Sequence, residues 1–575
     1  MRLAWMQFNA LVGDIDGNAQ RIRQGLEHAQ QKNVDILICP ELALIGYPPE
    51  DLLLRSSVKP RVHSALSILI EQQKKSDANT VLVIGAPGSI EHQTTNGAVV
   101  IFPNGETRWY AKQFLPNYSV FDEQRYFVTG QSSLTITAAL HEFGILICED
   151  LWHPQPARRA VAEGAECIIC LNASPYHMNK HARRLTTAHA RAEENKIPIV
   201  YVNLIGGQDE LVFDGQSFVM NAKGQVAFQE QLCTERWTIL EWQRANDEWN
   251  VIESVDLEPI IPNEKNTSNF FPRLNAKPVN TSPELIKINN VKKDSPHIWL
   301  EVLKLGLRDY LQKNDFPGII LGLSGGIDSA LTLAIAVEAL GKKAVHAVMM
   351  PSQFTSEHSI KLAAQQAEWL DVKYHTIPID ALVKSFEHEL TLKYSDPFKS
   401  ITSENIQARC RGVLLMALSN QNGFIVLNTS NKSETAVGYS TLYGDMIGGF
   451  NLLKDLTKTQ VYQLARWMNQ QNRVIPEEVI TRAPSAELRA NQTDQDTLPS
   501  YDVLDQLLTL YVEQDKSAQE LIDQGFAEKL VYSVIQRVDQ NEYKRRQAPP
   551  GVRMTEKAFG RDRRYPMSNG WKPGI

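Results

Sequence analysis

An α/β protein in two domains is what this sequence predicts: a sandwich of helices and mixed sheets over residues 1–258, then a doubly wound parallel sheet over residues 297–575. Three observations lead there. Short apolar runs alternate with longer helical patterns through both halves. A stretch rich in Pro, Asn and Lys, with prolines at 259, 262, 272, 278, 283 and 296, separates the halves and shows no sustained period. Finally, the apolar run Gly318–Leu321 enters a glycine turn, Gly322-Leu323-Ser324-Gly325-Gly326-Ile327-Asp328-Ser329, and the helical pattern Ala330–Leu340 leaves it. Glycines there allow positive φ and close backbone approach, and a helix start offers unpaired N–H groups to an anion such as a phosphate.

The bulk properties bound the rest. A length of 575 residues exceeds one core and suggests roughly two to four domains. With 43% hydrophobic and 22% charged residues and a net charge of −7, the balance favours no nucleic-acid partner and speaks only of solubility. No apolar run is long enough to span a bilayer, and the start Met1-Arg2-Leu3-Ala4-Trp5-Met6 does not read as a signal peptide. Six cysteines in so long a chain make no disulfide framework, so a reducing cytoplasm is expected. Cys167-Ile168-Ile169-Cys170 lies in a strand-like run that turns its two thiols to opposite faces, which reads as buried strand cysteines rather than metal or redox use.

In the first half, strands are expected at Leu3–Phe8, Ile36–Cys39, Val81–Ile84, Ala98–Phe102, Phe143–Cys148, Cys167–Leu171 and Ile199–Asn203. Several are too continuously apolar to have one wet face. Helices are expected at Asn18–Lys32, Val58–Lys75, Ala157–Glu163 and Lys180–Glu194. Glu41, Lys112 and Cys148 stand at strand ends, and each alone would pass for a surface or structural residue. In this order and these local contexts they resemble the Glu-Lys-Cys triad of the nitrilase, or carbon–nitrogen hydrolase, superfamily. That resemblance implies an α-β-β-α sandwich, with Cys148 as nucleophile, Glu41 as general base and Lys112 stabilising the oxyanion of the tetrahedral intermediate. It further implies that Glu123 orients the lysine, and that Tyr118, Ser174 and Lys180 hold the amino and carboxylate groups of a glutamine substrate. Read alone, Asn172-Ala173-Ser174-Pro175 is turn chemistry and Lys180 a surface lysine.

Residues 259–296 read as the linker. Beyond it a helix is expected at His297–Lys313, with strands near Ala344–Met350, Tyr374–Ile379 and Gly423–Asn428 and ligands at their carboxyl ends. The glycine turn is no ordinary P-loop, because Gly326 is followed by Ile327 and Asp328 instead of Lys and Ser or Thr. Its Ser-Gly-Gly-x-Asp-Ser resembles the pyrophosphate loop of the N-type ATP pyrophosphatases (PP-loop, adenine nucleotide alpha hydrolase-like). Asn428-Thr429-Ser430-Asn431-Lys432-Ser433-Glu434, Tyr443-Gly444-Asp445, Lys458 and Asn541-Glu542-Tyr543-Lys544-Arg545-Arg546 narrow the resemblance to the NAD synthetases.

Carried over, Gly322, Leu323, Ser324, Gly325, Gly326, Ile327, Asp328 and Ser329, with Thr429, Lys458 and Ser485, would bind ATP. Asn405, Glu434 and Lys544 would contact deamido-NAD⁺, and Asp328 with Glu434 would hold Mg²⁺. Two polyanions must meet in such a site, so cations must screen them. By itself Lys544-Arg545-Arg546 reads as a solvated run.

The tandem resembles the glutamine-using members of that family. The resemblance implies that glutamine is hydrolysed through a Cys148 thioester and that its ammonia converts adenylated deamido-NAD⁺ to NAD⁺. An enclosed passage for ammonia and a homo-oligomer, with small molecules as the remaining partners, are also expected. Two other readings stay open at this point: an amidotransferase that adenylates a different acceptor, and a non-catalytic sensor of nucleotide or glutamine. The sensor fits the intact triad poorly, since binding alone needs no nucleophile.

Overall fold

The computed structural model describes residues 1–257, 294–393, 399–489 and 492–572. Of the expected linker only residues 294–296 lie among them. The chain divides into two compact units, Met1–Asp294 and Ser295–Ile575.

The first unit is built on two sheets. The larger runs, edge to edge, Glu248–Asp256, Arg236–Gln243, Arg2–Gln7, Ile36–Ile38, Val81–Ile90, Gln93–Ile101 and Thr107–Ala111; the smaller runs Val226–Gln229, Phe218–Met220, Ile199–Asn203, Cys167–Asn172, His141–Ile147 and Thr135–Ala138. Each has a parallel centre of three strands with antiparallel neighbours. Alternate residues explain why the central strands are apolar throughout. Leu3, Trp5, Ile36, Ile38, Val81 and Val83 share one core with the smaller sheet. Ala4, Met6, Leu37, Leu82 and Ile84 share another with the helices Ile15–Gln31 and Val58–Lys75. On the far side Pro154–Ala162 and Lys180–Asn195 cover the smaller sheet, completing helix, sheet, sheet, helix. Cys167 and Cys170 are both fully buried in the first core, and none of the six cysteines is paired.

The second unit carries five parallel strands in the order Lys373–Thr376, Val345–Met349, Ile319–Gly322, Ile425–Asn428 and Phe450–Asn451. The chain leaves Ile319–Gly322 for the neighbour on one side and later returns on the other. The strand order therefore reverses there, which opens a crevice at the carboxyl end of that strand. Helices Pro296–Lys313, Ile327–Leu340 and Lys458–Gln471 pack together. A separate helical core forms around Leu504, Leu507, Leu508, Val534, Ile535 and Val538.

Several boundaries differ from expectation for physical reasons. The pair Val81–Ile90 and Gln93–Ile101 runs beyond its apolar halves into an exposed hairpin tip. Gly423 belongs to no strand; at φ 71° it closes the helix Ser400–Asn422 and donates to Ser419 O at 2.8 Å. The helix after the glycine turn begins at Ile327, so Asp328 and Ser329 sit in its first turn instead of in the loop. The strand ahead of Cys148 ends at Ile147, and the cysteine opens the short 3₁₀ turn Cys148–Trp152 at φ 44°.

Candidate active sites

In the first unit the two sheets deliver Glu41, Lys112 and Cys148 from the ends of three strands, Ile36–Ile38, Thr107–Ala111 and His141–Ile147. Lys112 is the centre of the cluster. Its Nζ donates to Glu41 Oε1 at 2.7 Å and to Glu123 Oε1 at 2.9 Å, with all three side chains buried. Burial alone would depress the ammonium, but Glu123, Glu41 and Cys148 together hold it well above its ordinary value, so it stays charged.

Glu41 is fixed on both oxygens. Asn96 Nδ2 donates to Oε1 at 2.7 Å and the Ala173 amide to Oε2 at 2.8 Å. Tyr47 Oη donates to Glu123 Oε1 at 2.8 Å, and burial, against the pull of Lys112, raises that carboxyl to about 7. Burial also pushes the Cys148 thiol up, with Glu41 adding to the effect and Lys112 opposing it. At φ 44° the cysteine occupies a conformation that few non-glycine residues adopt.

Asp150 fixes the cysteine turn against the lysine segment. Its Oδ1 accepts the amides of Gln113 and Phe114, each at 2.9 Å, while Oδ2 accepts Tyr110 Oη at 2.7 Å and the Ile147 amide at 3.1 Å. Of the residues expected to hold glutamine, Tyr118 and Lys180 meet the same turn. Tyr118 Oη donates to both oxygens of Glu149 at 3.1 and 3.0 Å. Lys180 Nζ lies 4.3 Å from the ring centre of Trp152, and burial, helped by Arg184, lowers it to about 8. Ser174 is buried, and its Oγ accepts from Arg184 Nε at 3.1 Å. Arg184 in turn pairs with the buried Asp214 at 2.7 Å.

In the second unit the glycine turn bends at Gly325, φ +78°, where an added Cβ would lie 2.4 Å from Ser359 O. Only this glycine needs the left-handed region; Gly326 has φ −90° and caps the following helix. Ser324 and Ser329 close the turn: Ser329 Oγ accepts the Ser324 amide at 3.2 Å and donates to Gly326 O at 3.0 Å. Above it Lys458 Nζ donates to Asp328 Oδ2 at 2.6 Å and to Glu434 Oε1 at 2.9 Å. Burial alone would depress Lys458, yet the two carboxylates hold it above its ordinary value. Burial raises Glu434 to about 7, Lys458 pulling against it.

Asn431 orients the carboxylate pair, donating to Asp328 Oδ1 at 2.9 Å and accepting the Glu434 amide at 3.0 Å. Asp505 secures the base of the cluster through Ser433 Oγ and the Thr459 amide.

These carboxylates fit a small hard cation. Each has about four acceptor positions. Asp328 uses two, for Lys458 and Asn431, and Glu434 two, for Lys458 and, at 3.4 Å, Tyr501. Acceptor positions remain on both, and both residues line one cavity. Among the described residues no group of three or more His, Cys, Asp and Glu forms a protein-only metal cage. The donor set therefore suits a cation whose remaining shell comes from a substrate.

Two cavities flank the turn. One of about 170 Å³ is lined by Ser324, Asp328, Ser329, Thr429, Glu434 and Lys458. The other, about 260 Å³, is walled by Val348, Met350, Leu415, Val426 and Leu427. Ser324, Gly326, Thr429 and Ser485 line both. Asn405 and Lys544 line neither. They meet instead on the segment after Glu434: Lys544 Nζ donates to Gly438 O and Ser440 O, each at 2.8 Å, and Asn405 Oδ1 accepts from Thr441 Oγ1 at 2.9 Å. The Lys544–Arg546 run is not simply solvated, because Arg545 is buried and bonds to Glu542 Oε2 at 2.9 Å.

A family model described as carbon-nitrogen hydrolase matches residues 2–246, and one described as NAD synthase matches residues 299–548. The chain is 43% identical to a glutamine-dependent NAD(+) synthetase from Acinetobacter baylyi, covering 100% of this chain and 99% of that one. It is 41% identical to another from Aquifex aeolicus, with 99% of each covered. Among solved structures, a glutamine-dependent NAD+ synthetase from Acinetobacter baumannii in complex with adenosine diphosphate is 40% identical. That match covers 100% of this chain and 99% of the other, with a TM-score of 0.74.

The arrangement around Lys112 has a measurable consequence. Lys112→Met leaves Glu41 and Glu123 buried without their cation, which costs roughly 3–5 kcal/mol. A lower urea midpoint for the first unit is expected, and Glu123→Gln added to Lys112→Met restores part of it; equal midpoints in wild type and Lys112→Met would refute the charge argument.

Proposed function

Because this chain belongs to the glutamine-dependent NAD⁺ synthetases, we propose that it converts deamido-NAD⁺ to NAD⁺ with glutamine as nitrogen donor, cleaving ATP to AMP and pyrophosphate. The first unit serves as glutaminase and the second as synthetase. The observation that carries the residue assignment is the buried Glu41–Lys112–Glu123 cluster beside Cys148.

A thiol pushed up by burial does not ionise freely near neutral pH, so its proton must leave as the bond forms. Glu41 takes that proton while Cys148 Sγ attacks the amide carbon, and Lys112 balances the oxyanion that develops. The carbon–nitrogen bond then breaks, and the departing nitrogen receives the proton from Glu41 as ammonia. Water attacks the thioester with Glu41 again as base, glutamate leaves, and Cys148 recovers its proton. Glu123 positions Lys112 without touching substrate. Tyr118, Ser174 and Lys180 hold the amino-acid end of glutamine, Lys180 as the cation for its carboxylate.

In the second unit Gly322–Ser329 cradles the phosphates of ATP with Thr429, Lys458 and Ser485, and Asn405, Glu434 and Lys544 take the dinucleotide. Mg²⁺ held by Asp328 and Glu434 would supply charge screening between the two polyanions. A nicotinate carboxylate oxygen bonds to the α-phosphorus as pyrophosphate leaves with the electrons of its own P–O bond. Ammonia then attacks the acyl carbon, loses a proton, and AMP departs with the C–O electrons. No helix among the described residues is long and apolar enough to cross a membrane, and unpaired cysteines suit a reducing cytoplasm. Exposed Leu382, Phe386, Ile401, Val413 and Met416 on helices Asp380–Thr391 and Ser400–Asn422 support a homo-oligomer.

Two measurements test this reading. Cys148→Ala abolishes glutamine-supported NAD⁺ synthesis and spares the ammonia-supported reaction; loss of both would refute separate sites. The KM for glutamine rises as pH passes above about 8, where Lys180 loses the proton that makes it a carboxylate partner. The KM for deamido-NAD⁺ in the ammonia-supported reaction serves as the control, and a flat glutamine KM from pH 7 to 9.5 would remove Lys180 from the glutamine site.

A further inference from the structure

Most buried or half-buried arginines here have an acid at hand. Arg21 pairs with Glu235 at 2.6 Å, Arg184 with Asp214 at 2.7 Å, Arg545 with Glu542 at 2.9 Å and Arg553 with Asp562 at 2.7 Å. Arg411 does not. It lies on the helix Ser400–Asn422 and lines the larger cavity beside the glycine turn. Its Nε donates to Met350 O at 3.0 Å, just past the end of the strand Val345–Met349. Among the described residues no carboxylate forms an ion pair with it. Arg482, the other arginine of the same wall, is paired with Glu487 at 3.3 Å.

A guanidinium has five N–H donors in a planar fork, and Arg411 spends one on a carbonyl. Burial depresses it, and Glu487, Asp445 and Asp380 offset this only at longer range. An uncompensated cation in a partly apolar wall is costly. The cost is offset when a ligand supplies the missing anion, and a planar fork matches two oxygens of one phosphate.

Position selects which phosphate. The cavity's apolar walls, Val348, Met350, Leu415, Val426 and Leu427, suit a nucleoside. Ser324, Gly326 and Thr429 are shared with the smaller cavity, where Asp328, Glu434 and Lys458 gather. A nucleotide laid across both would keep its α-phosphate at the junction.

We infer that Arg411 is a substrate-binding residue of the synthetase reaction, its guanidinium gripping the α-phosphate of ATP, of the adenylate and of departing AMP. This rests on the synthetase reading above and names a residue that the sequence motifs did not. Charge on the α-phosphoryl oxygens persists through both steps: the bond to pyrophosphate is exchanged for one to the nicotinate oxygen, which then breaks toward AMP. A fixed cation there serves each step without moving.

The test compares ligands that differ by this one group. Calorimetric titration of the full-length protein with AMP, adenosine and deamido-NAD⁺ is run on wild type, Arg411→Met and Arg411→Lys. Arg411→Met is expected to weaken AMP tenfold or more while adenosine changes less than twofold. Arg411→Lys, which keeps the charge and loses the fork, is expected to lie between.

Equal weakening of AMP and adenosine would assign Arg411 to the nucleoside or to the wall and overturn the inference. So would an unchanged AMP affinity, or a loss confined to deamido-NAD⁺. Should Arg411→Met not fold, the AMP-to-adenosine ratio in Arg411→Lys decides, an unchanged ratio counting against the inference. Wild-type protein that binds neither AMP nor ATP would overturn the synthetase reading itself, a result distinct from normal nucleotide binding with an unchanged ratio in the variants.

Discussion

A buried ammonium bracketed by two carboxylates sits at the heart of each unit, and the chemistry of each depends on it. In the first, Lys112 stands 2.7 Å from Glu41 and 2.9 Å from Glu123; in the second, Lys458 stands 2.6 Å from Asp328 and 2.9 Å from Glu434. Both clusters carry one more acid than base. Their common consequence is a shared proton affinity: Glu123 and Glu434 are both raised to about 7, while both lysines are held above their ordinary value. Removing the lysine leaves two carboxylates in a medium that tolerates no uncompensated charge.

The folds differ in how they bring such a cluster together. In the first unit the three expected catalytic residues come from three strand ends in two sheets, and the surrounding bonds hold those ends in register. The Ala173 amide and Asn96 fix Glu41, Asp150 ties the cysteine turn to Gln113 and Phe114, and Tyr47 secures Glu123. In the second unit the strand-order reversal opens the crevice, and helix starts line it. Asp328 sits in the first turn of Ile327–Leu340, Glu434 in that of Lys432–Val437, and Lys458 opens Lys458–Gln471. Carboxylates suit helix N-termini, whereas a lysine there works against the helix dipole. Lys458 is therefore retained for the acids it faces and not for its helix.

The sequence was most legible where chemistry and local pattern coincide. Glu41, Lys112 and Cys148 could be picked out by order and context, and strands buried on both faces announced themselves as continuous apolar runs. Strands with a wet side did not. Glu248–Asp256 alternates buried and partly exposed residues, and Arg236–Gln243 mixes Arg236, Thr238, Glu241 and Gln243 among its apolar residues, so both escape a reading keyed to unbroken apolarity. Asn96 and Tyr47 were invisible for another reason: each matters only through a partner 27 or more residues away. Arg411 carried no signal at all, because the absence of an acidic partner is a property of three-dimensional neighbours. The linker expected at 259–296 falls almost wholly outside the described residues, and the domain limits remain a proposal.

The two clusters do not do the same work, and the reason is the charge of what they meet. Glutamine brings a neutral amide to the triad, so the only new charge at the reacting carbon is the transient oxyanion, and one fixed ammonium answers it. ATP and a dinucleotide bring several permanent negative charges to a cluster that already has an excess acid. Lys458 alone cannot balance them, since Asp328 and Glu434 already claim it. On the proposed reading the second site draws cations from outside its own cluster: a metal would take the acceptor positions that Asp328 and Glu434 keep in reserve, and Arg411 would add a charge that no acid pairs. The pairing pattern of the arginines follows from this demand. The arginines that build the fold are matched with acids, and of the two in the wall of the larger cavity Arg482 is matched while Arg411 is not.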